Sequence, residues 1–494
     1  MLPIIQQAHS YLTQTAIYAE GKAFSYGQLM EASQQFAYTL LHLQPDLYEA
    51  RVAFMITPGF DYVRVQWAIW QAGGVAVPLC TTHPLPSLRY VIEDTQAAIL
   101  VVSNEFAPLL QDLAAELRLR FIVLGSPEPS APSVSLPKLE LSRRAMILYT
   151  SGTTSLPKGV VTTHANLSAQ IRTLVQAWEY ARTDHILCVL PLHHVHGIIN
   201  VISCTLWAGG AVTFLPSFSA QQVFDTFLQK GINVFMAVPT IYFKLIAHVE
   251  TLSEAEQQQL LAHLKTFRLM VSGSAALPIS VMEKWEKISG HRLLERYGMT
   301  EIGMAISNPY HGERRAGAIG MPLPGVSVRL VNEHNQPVAS DEAGEIQVKG
   351  DNVFKEYWNR PEATAKSFTE DGWFMTGDTA VIEDGYFRIL GRTSMDIIKS
   401  GGYKISALEI EEVLRSHPEV SDCAVVGIPN EEWGELVAAA VIVKNEIDSA
   451  FLTQFLRERM PAYRVPRRYA FVQELPRNAM GKVTKNDIKR LFEA

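Results

Sequence analysis

Residues 148–167 read LYTSGTTSLPKGVVTTHANL. An apolar run, Ala145-Met146-Ile147-Leu148-Tyr149, reads as a buried strand and gives way abruptly to Thr150, Ser151, Gly152, Thr153 and Thr154. Ser155, Leu156, Pro157, Lys158 and Gly159 follow, and then a second apolar run. Small residues let backbone N–H groups approach an anion, hydroxyls donate further hydrogen bonds, and a lysine adds a point charge. Those are the requirements of a phosphate cradle. The standard phosphate loop, Gly-x-x-x-x-Gly-Lys-Ser/Thr, is not matched, because Lys158 precedes Gly159 and no hydroxyl residue directly follows the lysine. On composition alone a Ser/Thr-rich surface turn accounts for the stretch equally well.

Outward from this loop, the chain between about 20 and 340 alternates short apolar runs with amphipathic segments. Val52–Ile56, Val75–Pro78, Ala98–Val102, Phe121–Leu124, Ala145–Thr150, Ile186–Leu190, Ala211–Leu215, Val234–Val238 and Leu269–Ser272 read as strands. Several are almost unbroken apolar, as strands covered on both faces are. Ser25–Leu43, Asp61–Ala72, Ala165–Trp178, Ala220–Lys230, Ile241–Val249 and Ile279–Ser289 read as the intervening helices. The alternation predicts α/β layering with parallel strands. After 340 the texture becomes turn-rich and β-like. From about 393 a compact tail carries a predicted helix at Ala407–Arg415, strands at Cys423–Gly427 and Val437–Val443, and a helix at Ser449–Met460. The expected organisation is a large N-terminal domain, 1–392, of layered α/β sheets with a β-rich subdomain, and a small C-terminal α/β domain, 393–494.

Composition narrows the function classes. The 494 residues are 48% hydrophobic and 19% charged with a net charge of −7, so neither nucleic acid nor an anionic membrane surface is an expected partner. No apolar stretch of about 18 residues marks a transmembrane helix. Cys80, Cys188, Cys204 and Cys423 are too far apart for a zinc or disulfide framework, which leaves reduced thiols as the expectation. Lys22 is the one basic residue in the first fifty, so neither a transit peptide nor a secretory signal is expected and the cytoplasm is the default.

The ordered string Thr150-Ser151-Gly152-Thr153-Thr154-x-x-Pro157-Lys158-Gly159 resembles the signature loop of the adenylate-forming superfamily of acyl-CoA synthetases, adenylation domains and luciferases. Tyr297-Gly298-Met299-Thr300-Glu301, Thr376-Gly377-Asp378, Gly391-Arg392, Ser400-Gly401-Gly402-Tyr403-Lys404-Ile405 and Pro476-Arg477-Asn478-Ala479-Met480-Gly481-Lys482 resemble its further motifs, in order, across nearly the whole chain. One departure is Ser155, where the family usually has Gly; a positive φ there would cost Ser on the order of 1 kcal/mol.

The resemblance implies formation of an acyl-adenylate from a carboxylic acid and ATP, then of a thioester with coenzyme A. It implies that Thr150–Lys158 hold the β- and γ-phosphates and that Gly273, Ser274, Ala275, Glu295, Tyr297, Gly298 and Met299 line the nucleotide. Thr300 and Glu301 would act at the phosphates, with Glu301 bringing in Mg²⁺. Asp378 would accept both ribose hydroxyls, and Arg392 would contact ribose or phosphate. Lys482 would reach the carboxylate and α-phosphate oxygens, then leave as the small domain rotates and Gly401-Gly402 arrive on the coenzyme A side. Nine positions separate Arg392 from Gly401, one more than in many relatives, so the hinge falls on Ser394 or Met395, with Asp396 next door.

The acid is read from "LLERYGMTEIGM" (293–304) and "PLHHVHG" (191–197). A guanidinium in an acyl pocket is expensive unless it meets an anion, and it matches a carboxylate bidentately. Arg296 therefore points to an acid with a second carboxylate, unless it turns outward to pair with a neighbour such as Glu295. The stretch resembles the malonyl-CoA/methylmalonyl-CoA synthetase family, which implies malonate, with methylmalonate as a second acid. Lys244 is a candidate second positive charge, Met304 a candidate floor, and His194 and His196 flank the same pocket or serve as structural histidines. Alternatives are another acyl-CoA synthetase such as a medium-chain one, a freestanding adenylation enzyme loading a carrier protein, and a non-catalytic ATP sensor. Neither membrane insertion nor nucleic acid is expected, and the chain is read as a monomer or homodimer.

Overall fold

Seven-, nine-, four- and five-stranded sheets organise the computed structural model, which describes residues 2–126, 135–150, 157–339, 341–393, 395–477 and 483–493, without the side chains of Lys230 and Lys404. In the seven-stranded sheet the order in space is Glu356–Tyr357, Lys158–Thr163, Arg144–Thr150, Val75–Pro78, Arg51–Met55, Ile99–Val102 and Arg120–Val123. The last five run parallel, and Lys158–Thr163 returns antiparallel on Arg144–Thr150. Val75–Pro78 and Ile99–Val102 are buried at every position, which is why they carry no polar alternation.

The nine-stranded sheet has a parallel centre. Leu269–Ser272, Val234–Ala237, His185–Cys188 and Ala211–Phe214 lie side by side, flanked by Leu294–Met299 and Thr15–Ala19. Both of these sheets contribute to one hydrophobic core, with Phe54, Trp67, Trp178 and Ile186 buried in it. Helix Tyr26–Leu41 is opened by a Ser25/Gln28 capping box and closed by His42 at φ 44, so the expected Leu43 falls outside it. Helix His164–Ala177 begins with the equivalent box, Thr163/Asn166.

The predicted strands and helices are present with shifts at their ends: Ile186–Leu190 becomes His185–Cys188, and Ser449–Met460 stops at Arg457, ahead of Pro461. Helices Leu85–Asp94, Ala107–Glu116 and Glu254–Leu264 are elements that the apolar alternation leaves unmarked. The expectation of parallel strands fails at Lys22–Ser25, Lys158–Thr163 and Gly303–Ser307, which pair antiparallel with the strands that precede them in the chain; for Lys22–Ser25 and Gly303–Ser307 the connection is a short turn.

Val326–Val331, Gly344–Gly350, Phe374–Glu383 and Tyr386–Arg392 form the antiparallel four-stranded sheet. The five-stranded sheet begins with the hairpin Ile397–Ser400/Tyr403–Ser406, turned by Gly401 (φ 56) and Gly402 (φ 82). It continues through Val420–Asn430, Gly434–Val443 and Arg468–Phe471, with helices Ala407–Arg415 and Ser449–Arg457 against it. This part meets the rest through Arg388–Glu409 at 2.9 Å and through Glu412 Oε1, which accepts the backbone N–H of Ile279 at 3.1 Å. Among the described residues no helix is long and apolar enough to cross a membrane.

Phe54 is 1% exposed on a strand between two parallel neighbours. Phe54→Ala is expected to lower unfolding free energy by about 3–5 kcal/mol, read as a reduced guanidinium midpoint with an unchanged slope.

Candidate active site

The site is built where edges of the sheets converge. Thr150 and Lys158 are register partners on two antiparallel strands, so these two residues of the signature stretch face each other and the lysine is held on a strand. Ser151 to Leu156 lie outside the described residues, as do Ser394 and Lys482. Lys158 Nζ stands 5.0 Å from the centroid of the Tyr357 ring. Lys158, Tyr357, Asn359, Arg360 and Met375 line a cleft of about 680 Å³.

Tyr357 also donates its hydroxyl to Glu301 Oε1 at 2.9 Å. Glu301 sits in the turn between Leu294–Met299 and Gly303–Ser307, with half-buried Thr300 beside it. That turn is gripped from behind. Phe354 N–H donates to Glu301 O at 2.7 Å, Asn352 Nδ2 to Ile302 O at 2.6 Å, and Gln170 Nε2 to Asn352 O at 3.0 Å. Burial raises the Glu301 carboxyl above its ordinary range, and the Tyr357 hydroxyl and nearby Arg392 oppose the rise. Among the described residues no cluster of three His, Cys, Asp or Glu forms a ready-made cation cage. A single carboxylate suits Mg²⁺, which binds through one or two carboxylates plus substrate phosphates. Glu301 therefore fits a cation that arrives on a nucleotide.

Asp378 faces the same turn from the four-stranded sheet. Tyr297 donates its hydroxyl to Asp378 Oδ2 at 2.6 Å, and Arg392 Nε meets Oδ1 at 3.0 Å. Arg392 Nη2 also donates to Thr376 O at 3.2 Å. Asp378 and Arg392 are directly opposed on neighbouring strands, which is why two residues fourteen apart meet. Each carboxylate oxygen keeps a further lone pair, enough for two vicinal hydroxyls.

Arg296 is 3% exposed and turned inward. Its Nη2 donates to Ser274 Oγ at 3.3 Å, and its Nε has no hydrogen-bond partner among the described residues. Burial lowers its pKa to about 10, still cationic at neutral pH. A Cβ on Gly273 would lie 2.6 Å from the guanidinium carbon, so glycine is what lets the arginine lie across the strand end. Ser274 holds φ 69, and its Oγ also meets His196 Nδ1 at 3.3 Å. His196 opens a fully buried π-helix, His196–Ser203, a form concentrated at functional sites. Burial holds its imidazole well below the usual range, beside Arg296. Tyr180, electrostatically coupled to Arg296, donates its hydroxyl to Asn200 O at 2.5 Å. The side-chain polar atoms of Asn200, Ser272 Oγ and His196 Nε2 have no hydrogen-bond partner.

Not every expected residue joins this cluster. The outward pairing of Arg296 with Glu295 does not occur: strand alternation sends Glu295 to the other face, where its Oε1 accepts Leu277 N–H at 3.1 Å. Lys244 is exposed on helix Pro239–Val249, with Nζ 5.6 Å from the Phe218 ring. Tyr242 and Leu245 take the buried side of that helix, so the structure does not join Lys244 to Arg296. Ala275 is exposed, whereas Gly273 is buried. Met304 is buried and its Cε would touch a Cβ on Gly298 at 2.6 Å, placing it under the Gly298 backbone. His194 is half-buried with its ring 4.0 Å from that of His193. Gly401 and Gly402 sit at the hairpin tip, Gly401 against Trp433. The sequence does not single out Tyr357, Gln170 or Asn352; "FKEYWNRPEAT" offers three aromatics among polar residues as a signal, but Gln170 offers none.

The comparisons bear on this arrangement directly. The AMP-binding enzyme family matches residues 4–358, and the AMP-binding enzyme C-terminal domain matches 409–482. The chain belongs to the AMP-binding enzyme family. It is 42% identical to the malonate–CoA ligase ACSF3, mitochondrial, of Xenopus laevis, over 99% of this chain and 91% of that one. It is 40% identical to a malonate–CoA ligase of Arabidopsis thaliana, over 99% and 88%. ATP-bound MatB from Rhodopseudomonas palustris superposes with a TM-score of 0.90 at 33% identity, covering 100% of this chain and 99% of that one. The o-succinylbenzoate coenzyme A synthetase of Bacillus subtilis with ATP and magnesium gives 0.87 at 25% identity, over 99% of both chains.

Glu295 carries a test of the burial argument. Burial, with Glu412 nearby, pushes its carboxyl up to about 8. A carboxyl raised on folding binds its proton more tightly in the native state, so its stabilising contribution is full below the unfolded pKa near 4.5 and is lost as pH rises through 8. Glu295→Gln is expected to match the native protein in thermal midpoint at pH 5 and exceed it by on the order of 1–3 kcal/mol at pH 9. A constant difference across that range would contradict the raised pKa.

Proposed function

We propose that this member of the AMP-binding enzyme family is an ATP-dependent malonate–CoA ligase that accepts methylmalonate as a second acid. The observation that carries the substrate is Arg296, a buried cation whose Nε is bare among the described residues and whose Nη2 donates to a serine hydroxyl. An unpaired guanidinium in such a place is costly, and an anion with planar oxygens relieves the cost. His196, which meets the same serine, adds a buried Nε2 with no hydrogen-bond partner among the described residues, which disfavours a long apolar acid. Two relatives named as malonate–CoA ligases support the same reading.

In this reading one carboxylate of the acid is held by Arg296, and the other attacks the α-phosphorus of ATP. Pyrophosphate leaves, and the acyl-adenylate then yields its acyl group to the thiol of coenzyme A, releasing AMP. Thr150 to Lys158 hold the outer phosphates. Asp378 fixes the ribose between Tyr297 and Arg392. Glu301 holds Mg²⁺, which when bound neutralises phosphate charge. The protein contributes position and fixed charge, the terms that dominate phosphoryl and acyl transfer. Lys482 neutralises the charge passing between carboxylate and α-phosphate. The division at 392/393 lets the small domain turn so that Gly401-Gly402 replace Lys482 for the thioester step. A cytoplasmic location is part of the reading: all four cysteines are free and buried.

The test is CoA-dependent AMP formation with malonate, methylmalonate, succinate, acetate, butyrate, octanoate and a cinnamate. Malonate should give the highest kcat/KM. Arg296→Ala should reduce its use by about 2–4 kcal/mol, the scale for stranding a buried charge. A preference for a monocarboxylate, or unchanged malonate turnover in the variant, overturns the assignment. Lys482→Ala should nearly abolish adenylate formation while sparing thioester formation from supplied acyl-adenylate; equal loss in both steps refutes its role.

A further inference from the structure

Outside the site lies a buried ionic cluster with no role in the scheme above. Lys485 is 7% exposed, and its Nζ lies 2.6 Å from Asp396 Oδ1 and 2.8 Å from Glu411 Oε1. Glu411 is itself 4% exposed, accepts the backbone N–H of Val425 at 2.8 Å, and meets Arg415 at 3.2 Å. Lys485 opens the helix Lys485–Arg490 and holds one end of Asp396, while Glu411, on Ala407–Arg415, holds the lysine from its other side.

The other end of Asp396 holds the strand that precedes it. Its Oδ2 accepts the backbone N–H of Arg392 at 2.9 Å. The backbone N–H groups of Asp396 and Met395 both donate to Arg392 O, at 2.7 and 3.0 Å. Gly391 takes φ 129, and a Cβ there would collide with the Asp396 side chain, so the aspartate seats directly on the Gly391-Arg392 backbone. The side chain of the same Arg392 meets Asp378, which accepts the Tyr297 hydroxyl. A continuous chain of charge-assisted contacts thus runs from Lys485 through Asp396 and Arg392 to Asp378.

We propose that Lys485 is a positioning residue for nucleotide binding: seated by Glu411, it pairs with Asp396, and Asp396 fixes the Arg392 backbone so that the Arg392 guanidinium orients Asp378. Asp396 is then not a free hinge carboxylate. It is a small-domain residue whose Oδ2 grips the large domain across Arg392, and the bonds to Arg392 are those that domain rotation must break. The inference rests on Asp378 and Arg392 being the ribose-binding pair.

Two measurements test it on the full-length protein: the KM for ATP in malonate-dependent ATP–pyrophosphate exchange, and the Kd for AMP by calorimetry. In Asp396→Asn and Lys485→Met both should rise about tenfold, with the KM for malonate within twofold of the native value. Lys485→Arg, which keeps the charge, should recover most of the affinity. The double variant should bind AMP no more weakly than Asp396→Asn alone, because both changes cut one chain. A KM for ATP within twofold of native in soluble Asp396→Asn overturns the proposal, as does an equal rise in the KM for malonate, which a merely structural loss would give. Asp396→Asn is nearly isosteric and keeps the test decisive if Lys485→Met does not fold. A native protein showing no malonate-dependent exchange would remove the substrate reading, while the AMP affinities would still decide the clamp.

Discussion

Everything at the site depends on one carboxylate held from two sides. Asp378 lies between the Tyr297 hydroxyl and the Arg392 guanidinium. Tyr297 belongs to the nine-stranded sheet, and Asp378 and Arg392 to the four-stranded one, so the Tyr297–Asp378 hydrogen bond joins two sheets while Arg392 fixes the carboxylate within its own. Tyr297 also starts the descent into the turn that carries Glu301, and Arg392 leads into the crossover to the small domain. Charge-assisted hydrogen bonds to a half-buried carboxylate are among the stronger contacts a protein makes, and they are directional. In the proposed reading they set where a ribose lies relative to Glu301.

Burial then sorts the ionisable groups by role. Glu301 and Asp378 keep partners that favour the charged carboxylate, Tyr357 for one and Arg392 for the other. Glu295, one residue before Arg296, faces the opposite side, has a backbone N–H as its partner, and is pushed up to about 8. Arg296 stays cationic without an ion pair or hydrogen bond to a carboxylate among the described residues. That is a costly state for a side chain to keep through folding unless a ligand makes use of it. The backbone accommodates it through a glycine at 273 and a positive φ at Ser274, and such local strain tends to gather at binding sites.

Much of the framework was legible along the chain. Buried parallel strands such as Val75–Pro78 and Val234–Ala237 announce themselves as apolar runs, and capping residues mark the starts of Tyr26–Leu41 and His164–Ala177. The motifs were legible because backbone approach to a phosphate needs small residues in a fixed order, whatever surrounds them. What was not legible depended on partners distant in sequence. Asn352 holds the Glu301 turn through Ile302 O, 50 positions away, and Gln170 holds Asn352 O across 182 positions, by backbone-directed hydrogen bonds that leave no local pattern. Lys244 has the composition of a pocket cation, yet its place on the helix puts it on the exposed side.

The sequence by itself determined the layered α/β class, the ordered motifs that carry the family resemblance and the presence of a charged residue before the Tyr-Gly-Met-Thr-Glu turn, since each is written in local order and periodicity. Only the tertiary structure decided that Arg296 faces inward, that Glu295 does not pair with it, and that Asp396 is gripped between Lys485 and the Arg392 backbone. Those outcomes depend on which face of a strand is covered and which helix crosses a given turn. Burial and long-range pairing set the energies of charged groups, and neither is encoded in the neighbours of a residue along the chain.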